Sequence, residues 1–167
     1  LAGTPPDLVL CPVGAGSILL GLYRGFVELR QAGLLPRLPR LVAVQSEAVA
    51  PVCRALAEGA QDVAPAVLAG LTLAEGIALP GPVRGRGVLE ALRATGGTAV
   101  AVSEAEIAAA VRTLGRAGLC VEPTAAVVLP GLLRLRRQGL CRPGETAVLV
   151  LSGSGLKAPA ALGEILG

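Results

Sequence analysis

Two short glycine-rich segments, each placed after an apolar run, have the residue types needed to bind an anion. The first is Gly14-Ala15-Gly16-Ser17, which follows the apolar residues 8–10. The second is Ser-Gly-Ser-Gly at residues 152–155, which follows the apolar residues 147–151. Each pattern predicts a buried strand that ends in a tight turn and opens a helix, where backbone N–H groups can bind phosphate. Because the chain has no histidine, these turns favour a phosphorylated cofactor over acid–base chemistry by imidazole.

Three interpretations of the first segment stay open at this point: a tight turn without a ligand, a dinucleotide-binding fingerprint, and a cradle for one phosphate. The fingerprint G-x-G-x-x-G/A has its first two glycines here, but its third position is Leu19, where close packing needs a small residue. Glu47 could imitate the ribose-binding acid of that fingerprint. A Walker-type loop is excluded, because no Gly-Lys-Ser/Thr follows and Lys157 is the only lysine in the chain.

Ser152 in the second segment also has several interpretations. It could cap the helix that follows. It could act as a nucleophile, but that role needs a nearby base, and the only side chain on offer is Lys157. As a neutral hydroxyl it could instead form a hydrogen bond to the ring nitrogen of a ligand.

The composition excludes several classes of partner. Aromatic residues make up 1% of the chain, which leaves no stacking platform for single-stranded nucleic acid. The net charge is only +3, and the densest basic cluster, at Arg134, Arg136 and Arg137, is typical of a solvated helix face. The apolar stretches are broken well below the ~20 residues that a bilayer requires. We therefore expect neither a nucleic-acid partner nor a membrane partner.

The four cysteines are far apart in the sequence and form no Cys-x-x-Cys pair: Cys11, Cys53, Cys120 and Cys141. Without histidine, a zinc site would need all four thiolates to meet from distant places, so we expect no metal site. Reduced, buried thiols in a cytoplasmic protein are the better interpretation.

Strands and helices alternate along the chain. Ser17 is predicted to cap the first helix, Ser103 and Glu106 to form a capping box, and Pro130 to kink its helix or delay its start. Strands joined through helices predict an α/β fold of one domain, with a parallel sheet in a three-layer αβα arrangement. The predicted strands cover residues 8–13, 41–45, 98–102 and 147–151, and the predicted helices cover residues 17–32, 48–58, 84–94, 103–117 and 124–138.

Several segments, taken in order, resemble the threonine synthases of the fold-type II pyridoxal-phosphate enzymes, the tryptophan synthase β-like superfamily. The resemblance covers nearly the whole chain, and the ending Gly-Leu-Lys favours threonine synthase over its threonine dehydratase relatives. The segments are CPVGAGS at residues 11–17 with YRGF at 23–26, VAVQ at 42–45, AEGIA at 74–78, VSEAEI at 102–107, GLCVEPTA at 118–125 and LSGSGLK at 151–157.

The resemblance implies pyridoxal 5'-phosphate as the cofactor and a role for each matched residue. The loop from Gly14 to Ser17 would bind the cofactor phosphate through backbone N–H groups, provided that Ser17, which replaces a common glycine, keeps a negative φ. Ser152 would face the pyridine nitrogen with a neutral hydroxyl, and Gly76 would let the backbone approach the cofactor. Glu122 would line the same cavity, either in a structural ion pair or as a catalytic group.

The resemblance further implies a carbon–oxygen lyase that converts O-phosphohomoserine and water into threonine and phosphate, in a homodimer acting on a small amino-acid substrate. The family's Schiff-base lysine lies in an N-terminal half, and Lys157, on a different segment, does not replace it. We therefore expect residues 1–167 to be the C-terminal part of the enzyme, inactive without the N-terminal half. The alternatives are a non-catalytic domain that binds a phosphorylated ligand and an enzyme of the serine/threonine dehydratase type.

Overall fold

The computed structural model describes residues 4–167, and its four strands form one parallel sheet. The strands are β1 (Leu8–Pro12), β2 (Arg40–Ser46), β3 (Thr98–Val102) and β4 (Ala147–Leu149). Their order in the sheet is β3-β2-β1-β4, and every neighbouring pair is parallel. The predicted parallel sheet is confirmed, although the last strand ends at Leu149, two residues earlier than predicted.

Helices connect the strands, as the alternation of patterns predicts. The α-helices are α1 (Ser17–Gln31), α2 (Pro51–Ala57), α3 (Gly85–Ala94), α4 (Glu104–Arg116), α5 (Pro123–Ala126), α6 (Val128–Arg137) and α7 (Pro159–Leu166). Two short 3-10 helices cover Glu75–Ile77 and Gly155–Lys157. None of the helices within residues 4–167 is both long enough and apolar enough to cross a bilayer.

The two faces of the sheet carry separate hydrophobic cores. Side chains alternate between faces along a strand, so Val9 and Cys11 of β1 pack with α1, α2 and α3, whereas Leu8 and Leu10 pack on the opposite side with α4 and α6. All four of these side chains are buried. The helices therefore cover both faces, which confirms the three-layer αβα architecture.

Pro130 divides the helix predicted over residues 124–138 into α5 and α6. Proline lacks a backbone N–H, and its ring clashes with the carbonyl group four residues earlier in a continuous helix. That carbonyl belongs to Ala126, the last residue of α5, and α6 begins at Val128. The proline thus delays the start of the longer helix, which is one of the two predicted outcomes.

The caps of α4 and α1 differ in how well the sequence predicts them. Ser103 and Glu106 form the expected capping box: Glu106 N donates to Ser103 Oγ at 3.3 Å, and Ser103 N donates to Glu106 Oε2 at 2.9 Å. The predicted cap at Ser17 is wrong, because Gly16 occupies the N-cap position with φ +87° and Ser17 is the first helical residue. A left-handed φ of this size favours glycine over serine.

The basic cluster at the end of α6 is partly an ion-pair network. Arg134 contacts Glu47 at 2.9 Å and Glu106 at 2.6 Å, and Arg137 contacts Glu106 at 3.2 Å. Partial burial alone would raise the pKa of Glu106, but hydrogen bonds from Ser103 and the charge of Arg134 lower it overall. The solvated-face prediction therefore holds for Arg136, which is exposed, and is wrong for Arg134.

The four cysteines are free thiols, and they differ in exposure. Cys11 and Cys141 are buried, Cys53 is half-buried and Cys120 is exposed, so the prediction of buried thiols is wrong for Cys120. Burial raises the pKa of Cys11 and of Cys53 to about 12. These two thiols are therefore protonated and unreactive near neutral pH.

Candidate functional site

A cavity of about 250 Å3 at the carboxyl ends of β1 and β4 brings all the predicted site residues together. In the strand order β3-β2-β1-β4, the chain proceeds from β1 to β2 on one side, whereas β4 lies on the other. Open parallel sheets bind ligands at the carboxyl ends of strands where the order reverses in this way. The lining residues are Pro12, Gly14, Ala15, Gly16, Ser17, Ile18, Gly76, Ile77, Glu122, Thr124 and Ser152.

Two larger grooves lie elsewhere on the surface, so volume alone does not select this site. One, of about 1010 Å3, lies beside residues 68–73 and α7, and another, of about 560 Å3, lies between α4 and α6. Both are lined mainly by apolar side chains. The cavity between β1 and β4 differs in combining a glycine loop, the N-terminus of a long helix and several hydroxyl groups.

The loop from Gly14 to Ser17 lies in a space that leaves no room for larger side chains. A Cβ atom on Gly14 would lie 3.0 Å from Ile77 Cα and 3.2 Å from Gly76 O. A Cβ atom on Gly16 would overlap Val88 Cγ2, and the φ of +87° at Gly16 is itself unfavourable for other residues. Ser17 keeps a negative φ, as the resemblance requires. The backbone N–H groups and the N-terminus of α1 therefore form a cradle that suits a phosphate group.

Gln45 holds the start of this loop from within the core. Its side chain is fully buried; Nε2 donates to Val13 O at 3.0 Å, and Oε1 accepts from Val52 N at 2.9 Å. Val13 N also donates to Val44 O at 2.9 Å. The residue before Gly14 is thus fixed to both β2 and α2, which limits movement of the cradle.

Gly76 packs closely on Thr124 at the side of the cavity. Gly76 N donates to Thr124 Oγ1 at 3.0 Å, and a Cβ atom on Gly76 would lie 3.0 Å from that same oxygen. The contact with Thr124 gives one physical reason for a glycine at this position. The predicted approach of Gly76 to a cofactor stays a prediction.

The turn after β4 presents Ser152 without using it as a cap. Ser154 caps the 3-10 helix Gly155–Lys157 instead, because its Oγ accepts from Leu156 N at 3.3 Å. The turn is held by Glu122 N, which donates to Gly153 O at 3.2 Å. Ser152 is exposed, and within residues 4–167 its hydroxyl forms no hydrogen bond, so it is available to a ligand.

Glu122 contributes a carboxylate to the cavity wall. Its side chain lies against Gly153, where a Cβ atom would overlap the carboxylate. Throughout the described range 4–167 this carboxylate takes part in no ion pair, so the structural ion-pair interpretation of Glu122 has no support there. The carboxylate is half-buried and adjoins the same cavity as Ser152.

Two residues near the site were not identified from the sequence as site residues. Thr124 lines the cavity, and Arg84 Nη1 donates to Ser17 Oγ at 3.3 Å. Thr124 lies in the Glu-Pro-Thr segment that carries part of the resemblance, which was an available signal. Arg84 had only its position just before the predicted helix over residues 84–94, which does not distinguish it from other arginines.

The site offers backbone N–H groups, hydroxyl groups and one carboxylate, and these fit pyridoxal 5'-phosphate. The cradle suits the phosphate, and Ser152 stands across the same cavity as a neutral hydrogen-bonding group. The family model described as pyridoxal-phosphate dependent enzyme matches residues 1–153. The chain belongs to this family. Members of the family depend on pyridoxal phosphate, so the cofactor predicted from the resemblance is confirmed.

Relatives within the family include threonine synthases. The threonine synthase of Methanosarcina acetivorans is 35% identical over 155 residues, which are 92% of this chain and 38% of the relative. The threonine synthase of Mycobacterium tuberculosis H37Rv is 32% identical over 158 residues, covering 94% of this chain and 41% of the relative. The chain thus spans about two fifths of the length of these curated relatives.

Solved structures of the family have the same fold. The threonine deaminase of the bacterium abbreviated T.th. superimposes with a TM-score of 0.69 at 28% identity, over 89% of this chain and 50% of that chain. Threonine synthase from Escherichia coli superimposes with a TM-score of 0.69 at 24% identity, over 97% of this chain and 36% of that chain. The predicted resemblance to fold-type II enzymes is confirmed.

Proposed function

We propose that the chain binds pyridoxal 5'-phosphate in the cavity between β1 and β4 and that the whole protein acts as a threonine synthase. In that reaction O-phosphohomoserine and water give threonine and phosphate. The observation that carries the proposal is the convergence of the Gly14–Ser17 cradle and the Ser152 hydroxyl on one cavity in a chain of this family.

The cradle and Ser152 would hold opposite ends of the cofactor. Backbone N–H groups of the loop and the N-terminus of α1 bind the phosphate group without a covalent bond. Ser152 donates a hydrogen bond to the pyridine nitrogen, or accepts one from it, and so fixes the ring in the cavity. When bound, pyridoxal phosphate supplies an electron sink that weakens the bonds around the α-carbon of an amino acid.

The neutral hydroxyl at Ser152 bears on the type of reaction. A carboxylate at this position would favour protonation of the ring nitrogen, because an opposite charge stabilises the protonated form. A serine gives the nitrogen no such charge and leaves the ring a weaker electron sink. This favours elimination and replacement at the β- and γ-carbons over transamination, which agrees with a lyase that acts on a phosphorylated substrate.

The choice of threonine synthase over dehydratase rests on the relatives. The curated threonine synthases match at 32–35% identity over more than nine tenths of the chain. The proposal places the lysine that holds the cofactor in a part of the protein outside these 167 residues, since Lys157 lies exposed in the 3-10 helix after the second turn. It also includes a homodimer in the cytoplasm, without which the 167 residues alone do not turn over substrate.

The test is to express the longest reading frame that contains the chain and to compare two products. We expect phosphate from O-phosphohomoserine, measured by a coupled colorimetric assay, and little ammonia from L-threonine. Ammonia in place of phosphate would identify a dehydratase. Bound cofactor with neither product would identify a non-catalytic domain, and absence of cofactor binding would contradict the whole proposal.

A further inference from the structure

Arg84 lies at the mouth of the cavity beside the phosphate cradle. Its Nη1 atom donates to Ser17 Oγ at 3.3 Å, across 67 residues of sequence. Among residues 4–167 no carboxylate forms an ion pair with Arg84. Arg86, two residues later, differs, because it pairs with Glu90 at 3.4 Å on the same helix. Arg84 therefore places an unneutralised positive charge next to the loop.

The backbone around Arg84 holds this charge in place. Gly85 N donates to Pro82 O at 3.0 Å, and Val88 N donates to Arg84 O at 3.1 Å, so Arg84 lies between a turn and the first turn of α3. The same helix packs on the cradle, because the Val88 side chain occupies the space where a Cβ atom of Gly16 would lie. The close packing of α3 on the loop keeps Arg84 within reach of any anion bound there.

Ser17 links Arg84 to the bound anion. A serine hydroxyl has one donor hydrogen and two acceptor lone pairs. When Ser17 Oγ accepts from the Arg84 guanidinium, its hydrogen is left to donate toward the loop. The backbone N–H groups and the hydroxyl carry only partial charges, whereas a phosphate monoester near neutral pH carries between one and two full negative charges. Arg84 supplies the full positive charge that the cradle otherwise lacks.

We propose that Arg84 is a phosphate-contacting residue, which binds the phosphate monoester held by the loop from Gly14 to Ser17. The inference rests on the proposed function, because it takes the cofactor as the source of that phosphate. The same chemistry is present in a phosphorylated amino-acid substrate, which is the second possible source. The position of Arg84 against Ser17, within the cradle itself, favours the cofactor.

The experiment compares two ligands that differ only in the phosphate group. Arg84→Gln and the matched control Arg86→Gln are made in the full-length protein, and the dissociation constants of pyridoxal 5'-phosphate and of pyridoxal are measured by absorbance titration without substrate. We expect Arg84→Gln to weaken pyridoxal 5'-phosphate binding about tenfold and to leave pyridoxal binding unchanged, as loss of one charge-assisted hydrogen bond predicts. Arg86→Gln should change neither constant, and Arg84→Lys should recover part of the loss.

The outcomes separate the two sources of phosphate and the two proposals. An unchanged ratio of the two constants, with a raised KM for O-phosphohomoserine and an unchanged kcat, would support the phosphate contact and assign it to the substrate. An unchanged ratio with an unchanged KM would overturn the role of Arg84 alone. A parent protein that binds neither ligand would overturn the proposed function and this inference with it. Unaltered pyridoxal binding also verifies that the variant is folded.

Discussion

The two glycine-rich turns have similar sequences and different surroundings. Gly14 to Ser17 leads into α1, a helix of 15 residues, whereas the turn at residues 152–155 leads into a 3-10 helix of 3 residues. The partial positive charge at a helix N-terminus arises from aligned peptide dipoles, so a long helix provides it and a single short turn does not. The first turn therefore suits an anion, and the second offers the neutral hydroxyl of Ser152.

The glycines of the two turns are required for different reasons. Gly16 adopts a left-handed φ of +87°, which determines the direction in which α1 begins. Gly153 and Gly155 have no positive φ; instead they leave space for Glu122 and for the Cys120 sulfur. The first turn depends on backbone conformation, and the second depends on packing against the segment at residues 120–122.

The largest expected effect is that of Gly16→Val on the first turn. A β-branched side chain at a left-handed φ is strained, and its Cβ would overlap Val88. We expect the free energy of unfolding to fall by about 2–4 kcal/mol and cofactor binding to be lost. Urea unfolding and titration with pyridoxal 5'-phosphate measure both effects.

The matched control for this substitution is Gly21→Ala, inside α1. A Cβ atom on Gly21 meets nothing within 4 Å, so this change should raise the free energy of unfolding by roughly 0.5–1 kcal/mol. If the Gly16→Val protein bound the cofactor with the affinity of the parent, the loop would not be the phosphate cradle.

Ser152→Asp addresses the second turn and should act on chemistry more than on stability. Ser152 is exposed, so the free energy of unfolding should change by less than about 0.5 kcal/mol. A carboxylate would raise the protonation of the ring nitrogen, and we expect kcat to fall roughly tenfold. Steady-state kinetics and the pH dependence of the cofactor absorbance measure this. Unchanged values for both would remove Ser152 from the proposed role, whereas Ser152→Ala should change kcat less.

Glu106→Gln affects neither turn and provides a purely structural reference. The substitution weakens the capping box and two ion pairs, so we expect a loss of about 1 kcal/mol near neutral pH with cofactor affinity unchanged. Because the pKa of Glu106 is lowered in the folded state, its stabilisation is complete above the ordinary value of 4.5 and is lost as the pH falls through the lowered value.

Urea unfolding of parent and Glu106→Gln proteins over a range of pH tests this sign. The difference between the two proteins should shrink as the solution is made more acidic than the ordinary glutamate pKa. A difference that grew in acid would mean that the folded protein raises this pKa.

The smallest expected effect concerns Cys120, beside the second turn. Cys120 is exposed, whereas burial raises the pKa of Cys11 and Cys53 to about 12, so Cys120 should react first with a thiol reagent near neutral pH. Cys120→Ser should remove the fast phase and change the free energy of unfolding by less than about 0.5 kcal/mol. A fast phase that persisted in the variant would place the exposed thiol elsewhere.

Local signals in the sequence predict much of this fold. The capping box at Ser103, the division of a helix by Pro130 and the strand that precedes each glycine turn all depend on residues within a few positions of one another. The short helix after the second turn had a local signal as well. Pro159 restricts the residue before it to extended conformations, so the 3-10 helix could not continue into α7.

Other features depend on contacts between distant segments, which no local pattern encodes. Arg84 meets Ser17 across 67 residues, and Gly76 meets Thr124 across 48 residues. Arg134 acquires its partner Glu47 across 87 residues, which is why a solvated face was expected there. In each case the side chain is ordinary in its own segment and acquires its role only when the sheet brings the elements together.

The pairing of β1 with β4 has a consequence for how the protein is made. Asp7 at the start of β1 meets Thr146 at the start of β4 across 139 residues. At a synthesis rate of about 5–20 residues per second, the first strand waits on the order of ten seconds for its neighbour to leave the ribosome. The cavity cannot close before then, because the cradle follows β1 and Ser152 follows β4. Cofactor capture is therefore a late, post-translational event, and the nascent chain carries an unpaired strand edge until it occurs.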